Sequence, residues 1–239
     1  MYHIRPNSLR TDTPLYRSLE KEGTFVIPME RVAMDYATSG YYEQYIVDWS
    51  IAEFVKPEKC IVDIGAHIGM YTVPYARIAK HVHAFECSPK SFNYLCANIA
   101  LNDLHYKVTK HNVALGATTG TGTYYIRDPV EGGGNGLYLE GDAHVATLQV
   151  PVRTLDSFEL DNIGIIKIDV EGYELQVIQG AVKTLIRNNF PPILFESWRP
   201  ETPAKEQLRR ELFAFISSLG YTIRPVPGWT WNDMFIATA

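Results

Sequence analysis

The stretch Cys60-Ile-Val-Asp63-Ile-Gly65-Ala66-His67-Ile-Gly69-Met-Tyr-Thr72 decides the fold. A short apolar run ends on an acid, a glycine-bearing turn follows, and a helical pattern opens at Met70. In an open parallel sheet such a turn lies at the carboxyl ends of the strands, where ligands bind. Gly65 and Gly69 would let a ligand press against backbone. Asp63, at the strand's end, is placed to accept a hydrogen bond from an ammonium group or an ordered water. The spacing is Asp-x-Gly-x-x-x-Gly, not the Gly-x-Gly-x-x-Gly that holds a dinucleotide pyrophosphate. Asp63 also sets negative charge where a pyrophosphate would sit, which Coulomb repulsion disfavours. A cationic ligand without phosphate fits better, and S-adenosylmethionine carries an ammonium and a sulfonium.

Outward from this elbow, strands and helices alternate. Residues 59–64, 81–85, 106–112, 163–168 and 192–195 read as strands. Residues 70–80, 89–101, 174–187 and 203–219 read as helices, with Ser88 and Pro89 as N-cap and first position, and Gly220 as a stop. Repeated strand–helix units predict a parallel sheet covered on both faces. Two final strands, 221–225 and 234–237, are joined by a short turn and should pair antiparallel. A helix over 41–55, ended by Pro57, precedes the elbow. Residues 1–38 read as an arm rich in turn formers, with a short strand at 24–28, and residues 39–239 as the main domain. Residues 116–161 break the rhythm. They hold two strand candidates around the loop Glu131-Gly-Gly-Gly-Asn135-Gly136 and read as an inserted hairpin or flap.

Composition narrows the partners. In 239 residues the chain carries 22 Lys+Arg against 27 Asp+Glu, with no basic stripe, which weighs against nucleic acid. Its 46% apolar fraction is ordinary for a globular chain. Cys60, Cys87 and Cys96 are an odd count without metal or redox spacing, so they read as reduced thiols. The polar start lacks the apolar core of a signal peptide, and no apolar run approaches membrane-spanning length. The expectation is a soluble, cytoplasmic protein with no membrane span. His81, His83, His105, His111 and His144 show no ligand spacing and read as surface or strand residues.

Five strand ends supply the candidate chemistry. The first offers Asp63, Gly65, Ala66, His67 and Gly69 to a cofactor. Glu86, 23 positions after Asp63, closes the second strand beside Cys87, where an acid can accept both ribose hydroxyls. Asn112, with Val113, ends the third; its amide either reads the adenine edge or turns the chain. In Ile165-Ile-Lys167-Ile-Asp169-Val-Glu171-Gly172-Tyr-Glu174, Asp169 ends a buried strand and projects into the same cleft. Lys167 shares its strand parity, and a buried ammonium must reach a carboxylate or the cleft. Glu196 ends the next strand, and Asp169, Glu171 and Glu196 should converge where the donor's sulfonium points. Glu174 reads better as a charge at a helix start. Trp198, just past that strand, is the best ring for stacking on a sugar. Tyr41, Tyr42, Trp229 and Trp231 are further aromatic candidates, and Asn135 and Trp231 are expected substrate contacts.

Together these segments resemble a known family. Asp63-Ile-Gly-Ala-His-Ile-Gly69, Phe85-Glu86-x-Ser-Pro89, Asn112-x-Ala114-Leu-Gly116, Leu155-Asp156, Ile166-Lys-Ile-Asp-Val-Glu-Gly172 and the strand ending at Glu196 resemble the FkbM-type S-adenosylmethionine-dependent methyltransferases. The likeness runs from about residue 41 to 237. The first motif marks class I methyltransferases at large, whereas the Lys-Ile-Asp-Val-Glu-Gly stretch is far more specific. The resemblance implies an α/β, Rossmann-like seven-stranded sheet with one antiparallel strand, and methylation of a hydroxyl oxygen on a sugar, glycan or related metabolite. Where this chain has His67 the family usually has Asn, with His a known variant.

Such a transfer needs alignment and a base. Asp169 and Glu196 are the candidate bases, with His67 behind them and Lys167 orienting a carboxylate. No metal ligand is assigned; a divalent cation held by the two carboxylates is kept as the less favoured route. Rival readings are an RNA ribose 2′-O-methyltransferase, a nicotinamide-dependent oxidoreductase and a non-catalytic module that keeps the cofactor fold.

Overall fold

The computed structural model describes residues 15–19, 23–28, 43–127, 134–138 and 144–239, the first segment by its backbone. Tyr41, Tyr42, most of the arm and part of the glycine-rich loop therefore lie outside the described residues. Seven strands form the main sheet: β3 (Cys60–Ile64), β4 (His81–Phe85), β5 (Val108–His111), β9 (Ile163–Ile168), β10 (Ile193–Glu196), β11 (Thr222–Pro225) and β12 (Met234–Thr238). Their order is β11-β12-β10-β9-β3-β4-β5. Strands β5, β4, β3, β9 and β10 run parallel, and β12 runs antiparallel to both neighbours, β10 and β11. The expected mostly parallel sheet with one reversed strand is the one observed.

Chain direction within the sheet fixes where a ligand can sit. From β3 the chain moves outward through β4 to β5, then returns to β9 on the other side of β3 and moves outward again. The crevice lies outside the carboxyl ends at this reversal, between β3 and β9. Both faces are covered. One core cluster includes Ile61, Val73, Tyr75 and Ile99; the other includes Ile64, Ile166, Val177 and Phe195.

The helices follow their sequence signals closely. Helix α1 (Gln44–Phe54) ends before Pro57, and α2 (Thr72–Ile78) starts two residues later than expected, after the tight turn at Gly69. Helix α3 (Pro89–Leu101) has the expected bounds, and the Ser88 hydroxyl accepts from the Ser91 N–H. Helix α6 (Pro203–Ser218) is capped by Thr202. The single helix expected over 174–187 is two, α4 (Glu174–Gln179) and α5 (Val182–Arg187). Asp156, in the 3-10 turn Leu155–Phe158, explains the break. Its backbone N–H donates to the Gly180 carbonyl, and its carboxylate accepts from the Lys183 and Thr184 N–H groups, capping α5 from a remote segment.

The inserted region is a second sheet. Strands β7 (Gly120–Ile126) and β8 (Ala146–Arg153) pair antiparallel, and the short β6 (Ala114–Leu115) adds to β8 in parallel. Gly136 bridges back to Tyr125, which lays residues 134–138 beside the hairpin. Of the arm, β1 (Leu15–Leu19) pairs with β2 (Gly23–Ile27). Asn98 on α3 and Asn102 at its C-cap, one turn on, exchange hydrogen bonds with the backbone of Val26 and Thr24. Phe25 and Ile27 are fully buried in the core cluster beside α2 and α3.

Candidate active site

A cavity of about 360 Å³ opens at the carboxyl ends of β3, β4, β9 and β10. The elbow after β3 forms its floor. Gly65 and Ala66 N–H groups both donate to the Phe85 carbonyl, and Asp169 N–H donates to the Ile64 carbonyl, so three strand ends are tied together. Gly65 sits at φ +74, and a Cβ there would overlap the Asp169 carbonyl oxygen. Gly69, at φ +96, packs on Leu95 and does not line the cavity. The two glycines are thus required by contacts within the protein rather than by a ligand pressing on both.

Lys167 organises the polar interior. It is 2% exposed in the central strand β9, and its Nζ lies 3.3 Å from Asp169 Oδ2 and 3.7 Å from Asp63 Oδ1. It donates to the Gly65 carbonyl at 3.1 Å and sits 4.8 Å from the centre of the Tyr71 ring. Burial pushes its ammonium toward neutrality, but Asp169, Asp63 and Glu43 outweigh this and hold it above the usual lysine range. Asp63 is fully buried and lies behind the wall, where it also accepts from the Thr72 hydroxyl. The ammonium expected at Asp63 is therefore supplied by Lys167.

Glu86 lines the cavity with both oxygens anchored. Oε2 accepts from the His67 N–H at 2.8 Å and Oε1 from the Ser88 N–H at 2.7 Å. Burial raises its pKa, while the nearby His67 ring and these two N–H groups oppose the rise. Each oxygen keeps a lone pair for a ligand hydroxyl. Cys87 and Val113 also line the cavity. Asn112 is not part of the wall; its amide donates to the Glu86 and Cys87 carbonyls and fixes the turn after β4.

Opposite stand Asp169, Glu171 and Glu196. One oxygen of each lies within 4.8 Å of the others. Glu171, at φ +58, accepts from Gly134 N–H at 2.9 Å and from the Trp198 indole at 3.2 Å. Glu174 is 4% exposed and accepts from the Val170 and Gly172 N–H groups, which holds the turn that aims Glu171 inward. Burial pushes its carboxyl up to about 7 against these bonds. Glu196 has a buried Oε2 with no hydrogen-bond partner. Burial first, and then Glu171 and Asp169, hold its carboxyl well above the usual range.

Several placements were not foreseen. Glu43 closes one side of the cavity from the start of α1 and accepts from the Tyr71 hydroxyl at 2.6 Å. Burial and the charge of Asp169 push its carboxyl up to about 7. Tyr71 lies inside the elbow motif, two residues past Gly69, and its position there was the available signal. Tyr124 and Tyr173 also reach the wall. Asn135 lines the cavity, and its side-chain oxygen accepts from the Arg127 N–H. Trp198 does not line it; its ring packs between Arg127 and Lys205, and its N–H is spent on Glu171. Trp231 is 61% exposed and stacked on Trp229, away from the wall.

Comparison with known proteins places this geometry. Residues 63–223 match the model of the methyltransferase FkbM domain, and the chain belongs to that methyltransferase family. It is 27% identical over 220 residues to methyltransferase sdnD of Sordaria araneosa, covering 75% of this chain and 80% of that protein. Over 140 residues it is 25% identical to the hexuronic acid methyltransferase AglP of Haloferax volcanii, covering 59% and 57% of the two. The crystal structure of an FkbM methyltransferase from Methylobacillus flagellatus KT superimposes with a TM-score of 0.53 at 20% identity, over 77% of this chain and 44% of that one. This chain thus spans under half the length of that structure. Among the described residues no helix is long and apolar enough to cross a membrane.

Proposed function

We propose that the protein binds S-adenosylmethionine and transfers its methyl group to a hydroxyl oxygen of a sugar, glycan or related metabolite. The observation that carries this reading is a single cavity in which Glu86 faces the acidic group of Asp169, Glu171 and Glu196 across the β3 elbow. An anionic wall suits a cofactor with a sulfonium and an ammonium and disfavours a pyrophosphate. The two anchored oxygens of Glu86 suit vicinal ribose hydroxyls, and the volume lies in the ~300–1,000 Å³ range of ligand pockets. The family and the hexuronic acid methyltransferase among the relatives support a carbohydrate acceptor.

When bound, the cofactor supplies an electrophilic methyl group on sulfur. The residues of this chain align an acceptor oxygen and take its proton. Asp169 is the assigned base: it lines the cavity at the end of the central strand, and Lys167 orients it from 3.3 Å. A placed base contributes about 10²–10⁴-fold. Glu196, at the end of the neighbouring strand on the same wall, is the second candidate base. His67 and Glu171 complete the wall. Residues 1–38 are taken as an arm on a methyltransferase domain over 39–239, with the insertion forming one side of the cleft.

Calorimetry with S-adenosylhomocysteine and with NAD(H), followed by an acceptor screen with labelled methyl donor, tests the reading. Micromolar binding of S-adenosylhomocysteine and labelling of free or nucleotide-linked sugars are expected. Binding of NAD(H) alone would overturn it.

A further inference from the structure

The cavity is rich in negative charge beyond what its expected cofactor can balance. Glu43, Glu86, Asp169, Glu171 and Glu196 line it, and Lys167 is the one lysine or arginine on the wall among the described residues. S-adenosylmethionine brings a sulfonium and an ammonium against its own carboxylate, a net single positive charge. Lys167 is already shared between Asp63 and Asp169. The remaining acids are concentrated in one place. Asp169, Glu171 and Glu196 come from the end of β9, the turn after it and the end of β10, so backbone pairing between two parallel strands brings them together.

A second observation distinguishes this group from an ordinary acidic patch. The Glu196 Oε2 atom is out of contact with solvent and has no hydrogen-bond partner. Such an atom is costly unless something supplies positive charge or a donor. Glu171 is held in place by Gly134 and Trp198, one bond to each oxygen, and keeps a lone pair on both. Three oxygens within 4.8 Å of one another are close to a coordination shell. Around magnesium, at about 2.1 Å, adjacent ligand oxygens lie roughly 3 Å apart and opposite ones roughly 4.2 Å. To meet that spacing the three oxygens would draw slightly closer together than they stand here.

We propose that Asp169, Glu171 and Glu196 form a site for a divalent, oxygen-preferring cation, and that its open positions are completed by an acceptor with two neighbouring oxygens. A hydroxy acid or a vicinal diol is such an acceptor. The three side chains are hard oxygen donors, the set that suits magnesium, manganese or calcium rather than zinc or copper. Three protein oxygens leave about half of a six-coordinate shell for water or acceptor. This inference rests on the reading of the cavity as an acceptor site, and it reverses the sequence-based order, in which a side-chain base stood ahead of a cation: with the cation bound, Asp169 serves as a ligand, and the cation acidifies the acceptor hydroxyl in place of a direct Asp169 base.

Manganese is the probe, titrated into the full chain saturated with S-adenosylhomocysteine and followed by electron paramagnetic resonance. One saturable ion per chain is expected, with affinity at least tenfold weaker in Glu196→Gln and in Glu171→Gln. The exposed Glu206→Gln serves as control and should leave binding unchanged. Where a substitution disturbs folding, terbium luminescence in the unaltered protein replaces it. Trp198 bonds Glu171 directly, so excitation of tryptophan should sensitise terbium emission, and manganese should quench it by competition. Absence of saturable manganese binding up to millimolar concentration overturns the proposal, as does binding that all of these variants retain. S-adenosylhomocysteine binding is measured separately. Its presence without manganese binding rejects the cation site alone, and its absence rejects the methyl-donor reading while the metal titration still decides the cation site.

Discussion

Lys167→Met is the substitution that tests the centre of the structure. The Lys167 ammonium lies 3.7 Å from Asp63 Oδ1 and 3.3 Å from Asp169 Oδ2. At an effective dielectric near 20, these separations give gross attractions of about 4.5 and 5 kcal/mol. Desolvation of the buried ions, several kcal/mol each, cancels much of that gain. The net loss on substitution comes from what is left behind. Asp63 stays fully buried with the Thr72 hydroxyl as its remaining partner at that end of the strand. Breaking a buried pair in this way costs about 3–5 kcal/mol. For a chain of this size, that is a fall in Tm of roughly 6–20 °C. Burial already raises the Asp63 carboxyl, and Lys167 is the largest opposing influence. Without the lysine the carboxyl rises further. The folded variant then binds a proton that its unfolded state releases, so its stability deficit should shrink as pH falls from 7 toward 5. Urea unfolding of Lys167→Met, Asp63→Asn and the double variant completes the measurement. The double variant should be more stable than the sum of the single losses by about 1–3 kcal/mol, because the orphaned acid is gone. A cost below about 1 kcal/mol for Lys167→Met, or strict additivity, would refute the account of how this strand is held.

Three further perturbations bear on the cavity. Gly65→Ala places a Cβ against the Asp169 carbonyl at a positive φ, so it should abolish measurable S-adenosylhomocysteine binding in calorimetry and lower Tm. Retention of binding would show that the elbow is not the cofactor floor. Glu86→Gln replaces an acceptor that holds two backbone N–H groups with one that can hold a single group well. S-adenosylhomocysteine affinity should drop about 10–100-fold, or roughly 1.4–2.8 kcal/mol, and an unchanged Kd would remove the ribose role. Glu43 titrates near 7 in the folded chain against an ordinary 4.5, so the unfolded state binds fewer protons between those values and stability falls as pH rises from about 4.5 to 7. Glu43→Gln should reduce that slope, by at most about 3 kcal/mol across the window; Glu174 and Glu86, also raised by burial, add with the same sign, so the check is the difference between the two slopes, and a slope unchanged by the substitution would refute the account of Glu43.

The fold was legible because its signals are local. Apolar runs of five or six residues ending on an acid or a glycine gave β3, β4 and β9 within a residue, and Ser88-Pro89 fixed the start of α3. What the periodicity missed was decided by contacts distant in sequence. Nothing near residue 180 says that Asp156 will cap a new helix there, and two-residue β6 exists only because β8 lies beside it. The same division holds in the cavity. Strand-end acids could be counted off the sequence, and Asp169, Glu171 and Glu196 do meet. Glu43 could not be counted, since its place depends on how α1 docks against Tyr71. Trp198 stands off the cavity wall for a physical reason: an indole two residues past a strand end has a donor as well as a face, and here the donor finds Glu171.

Motif residues that look chemical divide into those that meet a ligand and those that hold the others still. Along Lys167-Ile-Asp169-Val-Glu171-Gly172-Tyr-Glu174, the charged positions share one logic. Lys167 pairs backward to Asp63 and forward to Asp169, joining β9 to β3 under the elbow. Glu174 turns back on the Val170 and Gly172 N–H groups, which allows Glu171 its left-handed conformation. Asp169 and Glu171 are then the two acids of this stretch that line the cavity, each fixed by a neighbour that does not have to touch substrate. The arrangement concentrates like charges that would repel one another in the absence of positive charge, and it keeps them from relaxing apart. A site built this way is preorganised for positive charge, and that is why the spacing within this short stretch carries more information about chemistry than the glycine elbow does.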